Sequence, residues 1–180
     1  MADERDPVDF YQSPEIAVDM LLEHTPLTGP ILEPSAGLGA LVRPLRRHGF
    51  TVTAYDLTDH GIISGEGIKT GVDFLAQDDA SGCVSVVLNP PYKDADKHVR
   101  HALMIVPEDG VVCVLLRLTW IAAKKRADLL PYIEKIIIVG RIKMLPPDVK
   151  DKGHSGTVDF AWFVFRPFRH SYGAVIVRAA

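Results

Sequence analysis

Apolar and polar positions along the chain fall into two periods. Short, almost wholly apolar runs recur at Ile31-Leu32, Val84–Leu88, Val111–Leu116, Lys135–Val139 and Val158–Phe165. Runs this short, bounded by Gly, Pro or Asp, predict strands buried on both faces of a sheet. Phe50–Ala54 alternates and predicts a strand ending at Tyr55-Asp56, and Val72–Leu75 a brief further one. Gly173–Val177 reads as a last edge strand outside the main set of seven. Helical spacing fills the gaps. Ile16, Ala17, Met20 and Leu21 mark one face of a helix to His24, with Ser13 as N-cap, Pro14 in the first position and Glu15 at the positive end. Further helices are predicted from Gly39 to His48, over Asp94–Val106 and over Lys124–Tyr132. Thr58–Gly71 and Leu145–Gly156 read as loops, and residues 1–9 are expected to be loose.

Strands alternating with helices predict an α/β fold: a doubly wound, seven-stranded, mostly parallel sheet with helices on both faces. The sixth and seventh strands are joined by a non-helical loop, so the last strand is expected to enter antiparallel. In such sheets ligands bind at the carboxyl ends of the strands. Glu33–Gly39, Asp56, Asp73-Phe74 and Asn89–Tyr92 all fall at predicted strand ends.

With 180 residues the chain has the size of one domain, taken as residues 1–180. A hydrophobic content of 47% and a charged content of 24% are those of a globular protein, and no apolar run approaches a membrane span. The acidic start, Asp3-Glu4-Arg5-Asp6, argues against a secretory signal, which makes the cytoplasm the expected compartment. Cys83 and Cys113 form no zinc pattern and read as buried reduced thiols. The net charge is −3, but unevenly spread. Residues 1–91 carry five Lys/Arg against fourteen Asp/Glu (−9), and residues 92–180 carry fifteen against nine (+6). That asymmetry suggests two faces with different partners, although solvated charge can also drift without function.

The strand at 84–88 must stop at Pro90, because neither Pro90 nor Pro91 can donate a ladder hydrogen bond. Asn89 and Tyr92 are then held in a nearly fixed relation by two stiff residues. An Asn oxygen and a proline-flanked carbonyl can together accept both hydrogens of an NH2 group, and the Tyr ring can stack on a planar partner. Asn89–Tyr92 therefore reads either as a rigid turn or as a holder for a planar amine. Gly37 and Gly39, at a strand-to-helix turn, allow close approach of a ligand to the backbone. A dinucleotide fingerprint would need Gly where Val42 stands. Asp56 suits a grip on ribose hydroxyls or a loop cap, and Glu33 suits a cationic ligand or a local pair.

Glu33-Pro34-Ser35-Ala36-Gly37-Leu38-Gly39 together with Asn89-Pro90-Pro91-Tyr92 resembles the class I S-adenosylmethionine-dependent methyltransferases, and within them the enzymes acting on N6 of adenine. Phe10-Tyr11-Gln12-Ser13-Pro14 is similar to the family's aromatic-x-Thr-Pro element, with Ser13 for Thr. Val158–Val164 resembles the seventh strand of short phage and prophage members. The resemblance implies a Rossmann-like class I methyltransferase fold. It implies S-adenosyl-L-methionine as cofactor and S-adenosyl-L-homocysteine as product. Tyr11 and Ser13 would close over the methionine moiety, and Glu33 with the Pro34–Gly39 backbone would hold its amino group. Asp56 would bind the ribose, Leu57 would pack on the adenine, and Asp73 with Phe74 would read the adenine edge. Asn89 and Pro90 would accept the target amine's hydrogens, and Tyr92 would stack on the base.

A base in a duplex must be flipped out to reach such a pocket. Lys93, Lys143, Lys150, Lys152 and His154 are candidate substrate contacts, and Lys97, His98 and Arg100 either face phosphates or form a solvated helix face. Asp94, Asp96, His98 and His101 read as dipole complementation and not as a metal site. The span between Tyr92 and Val111 leaves no room for a separate target-recognition domain. Specificity is then low, or comes from the Leu145–Gly156 loop, a second subunit or a partner. DNA is the favoured substrate. RNA adenine, a protein glutamine, and a non-catalytic cofactor-binding module are the alternatives.

Overall fold

The aliphatic run before Asn89 becomes the middle of the sheet, as its lack of any polar face requires. The computed structural model describes residues 13–61, 66–144, 156–168 and 173–178. Among these, β1 (Ile31–Glu33), β2 (Val52–Tyr55), β3 (Ile68–Lys69), β4 (Ser85–Leu88), β5 (Val111–Arg117), β6 (Ile133–Gly140), β7 (Phe160–Phe165) and β8 (Val175–Arg178) form one sheet. Their order is β3-β2-β1-β4-β5-β7-β6-β8. β4 is buried throughout and pairs in parallel with β1 and with β5, from Ser85↔Val111 to Leu88↔Val114. β7 is antiparallel to both β5 and β6.

Alternation along each strand sends neighbours to opposite faces. Ile31, Val87, Cys113 and Trp162 pack with α1 (Ile16–His24) and α2 (Val42–Arg47) on one side. Leu32, Val86, Val114 and Phe163 pack with α3 (Ala95–Ile105) on the other. α3 turns Ala95, Val99 and Ala102 inward, a spacing of four and three residues that makes one helical stripe. Trp162 Nε1 donates to the Ala17 carbonyl at 2.7 Å, tying α1 to the antiparallel strand across the buried interface. Cys83 and Cys113 are free and buried, and burial pushes the Cys113 thiol up to about 12.

The mixed sheet with an antiparallel seventh strand follows the sequence expectation; three details do not. The sheet has eight strands among the described residues, because β8 pairs in parallel with β6 at the edge. Val72–Leu75 is not a strand. Asp73 accepts from the Leu75 N–H at 2.9 Å and starts a 3₁₀ turn over Phe74–Ala76, while the third strand is the shorter Ile68–Lys69. Local capping by Asp outweighs the apolar pattern there. Lys124–Tyr132 is 3₁₀ instead of α-helical, with Pro131 inside it and only Leu129 buried. No helix among the described residues is long and apolar enough to cross a membrane.

Candidate active site

β4 delivers its last side chains to one edge of the sheet, where Asn89 begins the turn into α3. Pro91 closes that turn by accepting the Asp94 N–H at 3.0 Å. Asn89 donates through Nδ2 to Ser13 Oγ at 3.2 Å, across 76 positions of sequence. Ser13 is buried and is not the cap of α1. The Pro14 and Glu15 carbonyls already accept from Ala17 and Val18, so the hydroxyl is available to the amide. Tyr92 lies at a ring distance of 6.2 Å from Phe160, and the Arg117 guanidinium stands 5.1 Å over its ring.

The neighbouring wall is the turn after β1. Gly37 has a left-handed φ of 51°, and its N–H donates to Asp56 Oδ2 at 2.7 Å. Asp56 Oδ1 accepts the Thr58 N–H at 2.8 Å and lies 3.4 Å from His60 Nε2. One carboxylate thus joins the ends of β1 and β2 and caps the following loop. Each of its oxygens receives one backbone donor, and a carboxylate has about four lone-pair sites. Gly39 is also left-handed, but a Cβ there would meet Arg43 Nη1 at 3.1 Å and Ile68 Cδ1 at 3.2 Å. Its glycine serves helix–sheet packing.

A cleft of about 390 Å³ joins the two walls. Of the predicted cofactor residues, Ser13, Pro34, Ser35, Ala36 and Gly37 line it, as do Asp56, Leu57, Asp73 and Phe74. So do Asn89, Pro90, Pro91, Tyr92 and Lys93. Leu57 is 64% exposed, an apolar side chain left to the cleft mouth. Phe74 is buried beneath, with its ring edge-on to His101 at 4.8 Å. Gly39 and Lys143 do not line the cleft, and Tyr11, Lys150, Lys152 and His154 lie outside the described residues.

Glu33 does not reach the cleft wall either. It is fully buried behind the turn, where Oε1 accepts the Ser35 N–H at 2.9 Å and Oε2 has no hydrogen-bond partner. Burial, with a smaller contribution from the nearby Asp56 charge, holds its carboxyl well above the usual range.

The expected phosphate contacts on α3 are largely paired. Lys97 bridges to Asp94 at 2.8 Å, and Arg100 makes a two-point pair with Asp128. His98 lines the cleft, and burial lowers its pKa despite its bond to the Asp94 carbonyl, so it is neutral near pH 7. Asp96 binds Trp120, Lys125 and Arg126. Sequence reasoning missed Thr58 and His60, which follow Asp56 in the loop after β2 and meet its carboxylate, and Arg117, whose strand is brought beside β4 only by the sheet order. Spacings of two and four residues from Asp56 are a local signal for Thr58 and His60; no local pattern marks Arg117.

The fold is shared with solved structures. A candidate class I S-adenosylmethionine-dependent methyltransferase of Listeria monocytogenes matches with a TM-score of 0.64 at 12% identity, over 98% of this chain and 68% of that one. The fold is that of the class I methyltransferases. The M protein of the type I restriction enzyme EcoKI matches with a TM-score of 0.62 at 14% identity. That match covers 98% of this chain and 49% of the M protein, so the chain spans about half its length. The 1,6-didemethyltoxoflavin-N1-methyltransferase of Burkholderia thailandensis was crystallised with its substrate and S-adenosylhomocysteine. It matches at 0.56 and 12% identity over 87% of this chain and 77% of that one. No family model and no curated protein sequence matches the chain.

Proposed function

We propose that the protein transfers a methyl group from S-adenosylmethionine to an exocyclic amino group, and that the acceptor is N6 of adenine in DNA. The observation that carries this reading is the shared cleft. The Asn89–Tyr92 amine holder and the Ser35–Gly37, Asp56 and Leu57 wall face the same space.

The residues present fit the cofactor. The exposed Leu57 offers an apolar face to a flat ring, and Asp73 lines the same cleft as an acceptor for the ring edge. Asp56 retains acceptor capacity for a diol beyond its two backbone donors. The unsatisfied Oε2 of Glu33 is a buried acceptor behind the turn, and a cationic amino group nearby favours its ionised form. When bound, S-adenosylmethionine supplies an electrophilic methyl group on a sulfonium, a leaving group that needs no protonation. The chain's task is therefore alignment, which can account for roughly 7–11 kcal/mol of a barrier.

With Nδ2 donating to Ser13, the Asn89 oxygen and the Pro90 carbonyl accept the hydrogens of the target amine. Those two bonds orient the nitrogen lone pair. Tyr92, itself braced by Phe160 and Arg117, stacks on the base. Transfer of isotope-labelled methyl to DNA, RNA and protein offered separately tests the reading. Label in the DNA arm is expected. Label in the protein arm alone, or in none, would contradict it.

A further inference from the structure

Among the cations near the cleft, Arg117 differs from its neighbours. Lys97, Arg100 and Arg126 each face a carboxylate. Arg117 makes no ion pair among the described residues, and its Nε is buried without a hydrogen-bond partner. It sits at the carboxyl end of β5, partly buried, with its guanidinium over the Tyr92 ring. A guanidinium tolerates this position because it is weakly hydrated and stacks on aromatic faces. A partly buried cation with an unsatisfied donor is costly unless something else completes it.

We propose that Arg117 binds a backbone phosphate of the strand that carries the target base. This rests on the function proposed above and deepens it, from an acceptor of amino groups to a binder of nucleotides. Tyr92 lines the cleft, whereas Arg117 stands over the Tyr92 ring without lining it. A base stacked on Tyr92 inside the cleft leaves its sugar and phosphate outside the lining, as Arg117 is. Every nucleotide brings an anion at that fixed remove from its base. A glutamine side chain does not. The planar fork of Arg matches phosphate oxygens two at a time, and with Nε buried its terminal nitrogens are the donors offered.

The test uses the full chain and a fluorescent, adenine-containing single-stranded oligodeoxynucleotide, with affinity measured between about 50 and 200 mM salt. Arg117→Gln is expected to weaken binding and to reduce the slope of log affinity against log salt by about 0.7, the loss of one phosphate contact on a single strand. Arg117→Lys should restore the slope. S-adenosylhomocysteine affinity should stay within about twofold, because Arg117 is outside the cofactor walls. Should Arg117→Gln fail to fold, an oligonucleotide with methylphosphonates flanking the adenine must lower the slope for the wild-type protein by the same step. An unchanged slope in both measurements overturns the proposal. So does a fall in turnover at saturating oligonucleotide with the slope unchanged, which would make Arg117 a support for the Tyr92 ring. An Arg117 failure in a protein that methylates DNA leaves the broader reading standing, whereas a wild-type protein that binds no oligonucleotide overturns both.

Discussion

Asn89 and Ser13 meet across most of the amino-terminal half of the chain, where the amide donates through Nδ2 to the hydroxyl. Removing the amide should therefore separate two properties that share a cleft. Asn89→Ala is expected to lower methyl transfer by at least about 10²-fold, the scale of losing one preorganised partner of the reacting group. S-adenosylhomocysteine affinity, read by calorimetry, should stay nearly unchanged; equal losses of both would contradict the assigned role. Asp56→Ala should do the reverse, weakening cofactor binding first. It also removes acceptors from Gly37 and Thr58, so its melting temperature should fall by several degrees. The residues that carry the proposal were legible because Pro90 and Pro91 leave a strand no other ending. The Ser13–Asn89 bond was not legible, since Ser13 beside Pro14 and Glu15 is an equally good helix cap. Only tertiary contact assigned its hydroxyl.

At the scale of elements, strands buried on both faces announced themselves and short elements did not. β3 is two residues long, and no periodicity can be read from two positions. The stretch from Leu118 to Tyr132 keeps to 3₁₀ turns, held to α3 by Asp96. Trp120 Nε1 donates to that carboxylate at 2.9 Å and Arg126 Nε at 2.7 Å, while the Arg126 guanidinium lies 4.6 Å over the Trp120 ring. Burial by itself would raise the Asp96 carboxyl, but the bonds from Lys125, Arg126 and Trp120 outweigh it and hold the group below its ordinary value. A carboxylate lowered in the folded state stabilises above its unfolded pKa, and that contribution is lost as pH falls through the folded one. Asp96→Asn should thus melt at a lower temperature than wild type near pH 7. The gap should begin to narrow below about pH 4, the ordinary Asp value, and close only as pH falls through the lower folded one. A gap that persists at acid pH would assign the loss to packing.

Across the whole molecule, the sheet order brings the ends of β1, β2 and β4 to one edge, so residues from Ser13 to His98 share one cleft. The charge asymmetry of the sequence proves less exposed than its totals suggest. Arg100, Arg126 and Arg166 are each spent on carboxylates of the same half, and Lys97 on Asp94. On the proposed function, a nucleic-acid partner would be held by few phosphate contacts, and base capture at Asn89–Tyr92 would supply the rest of the selectivity. The most direct test is mass spectrometry of nucleosides from DNA incubated with the protein and S-adenosylmethionine. The account predicts N6-methyldeoxyadenosine with the wild-type chain and none with Asn89→Ala. Methylation of another nucleoside position, or undiminished product from Asn89→Ala, would contradict it.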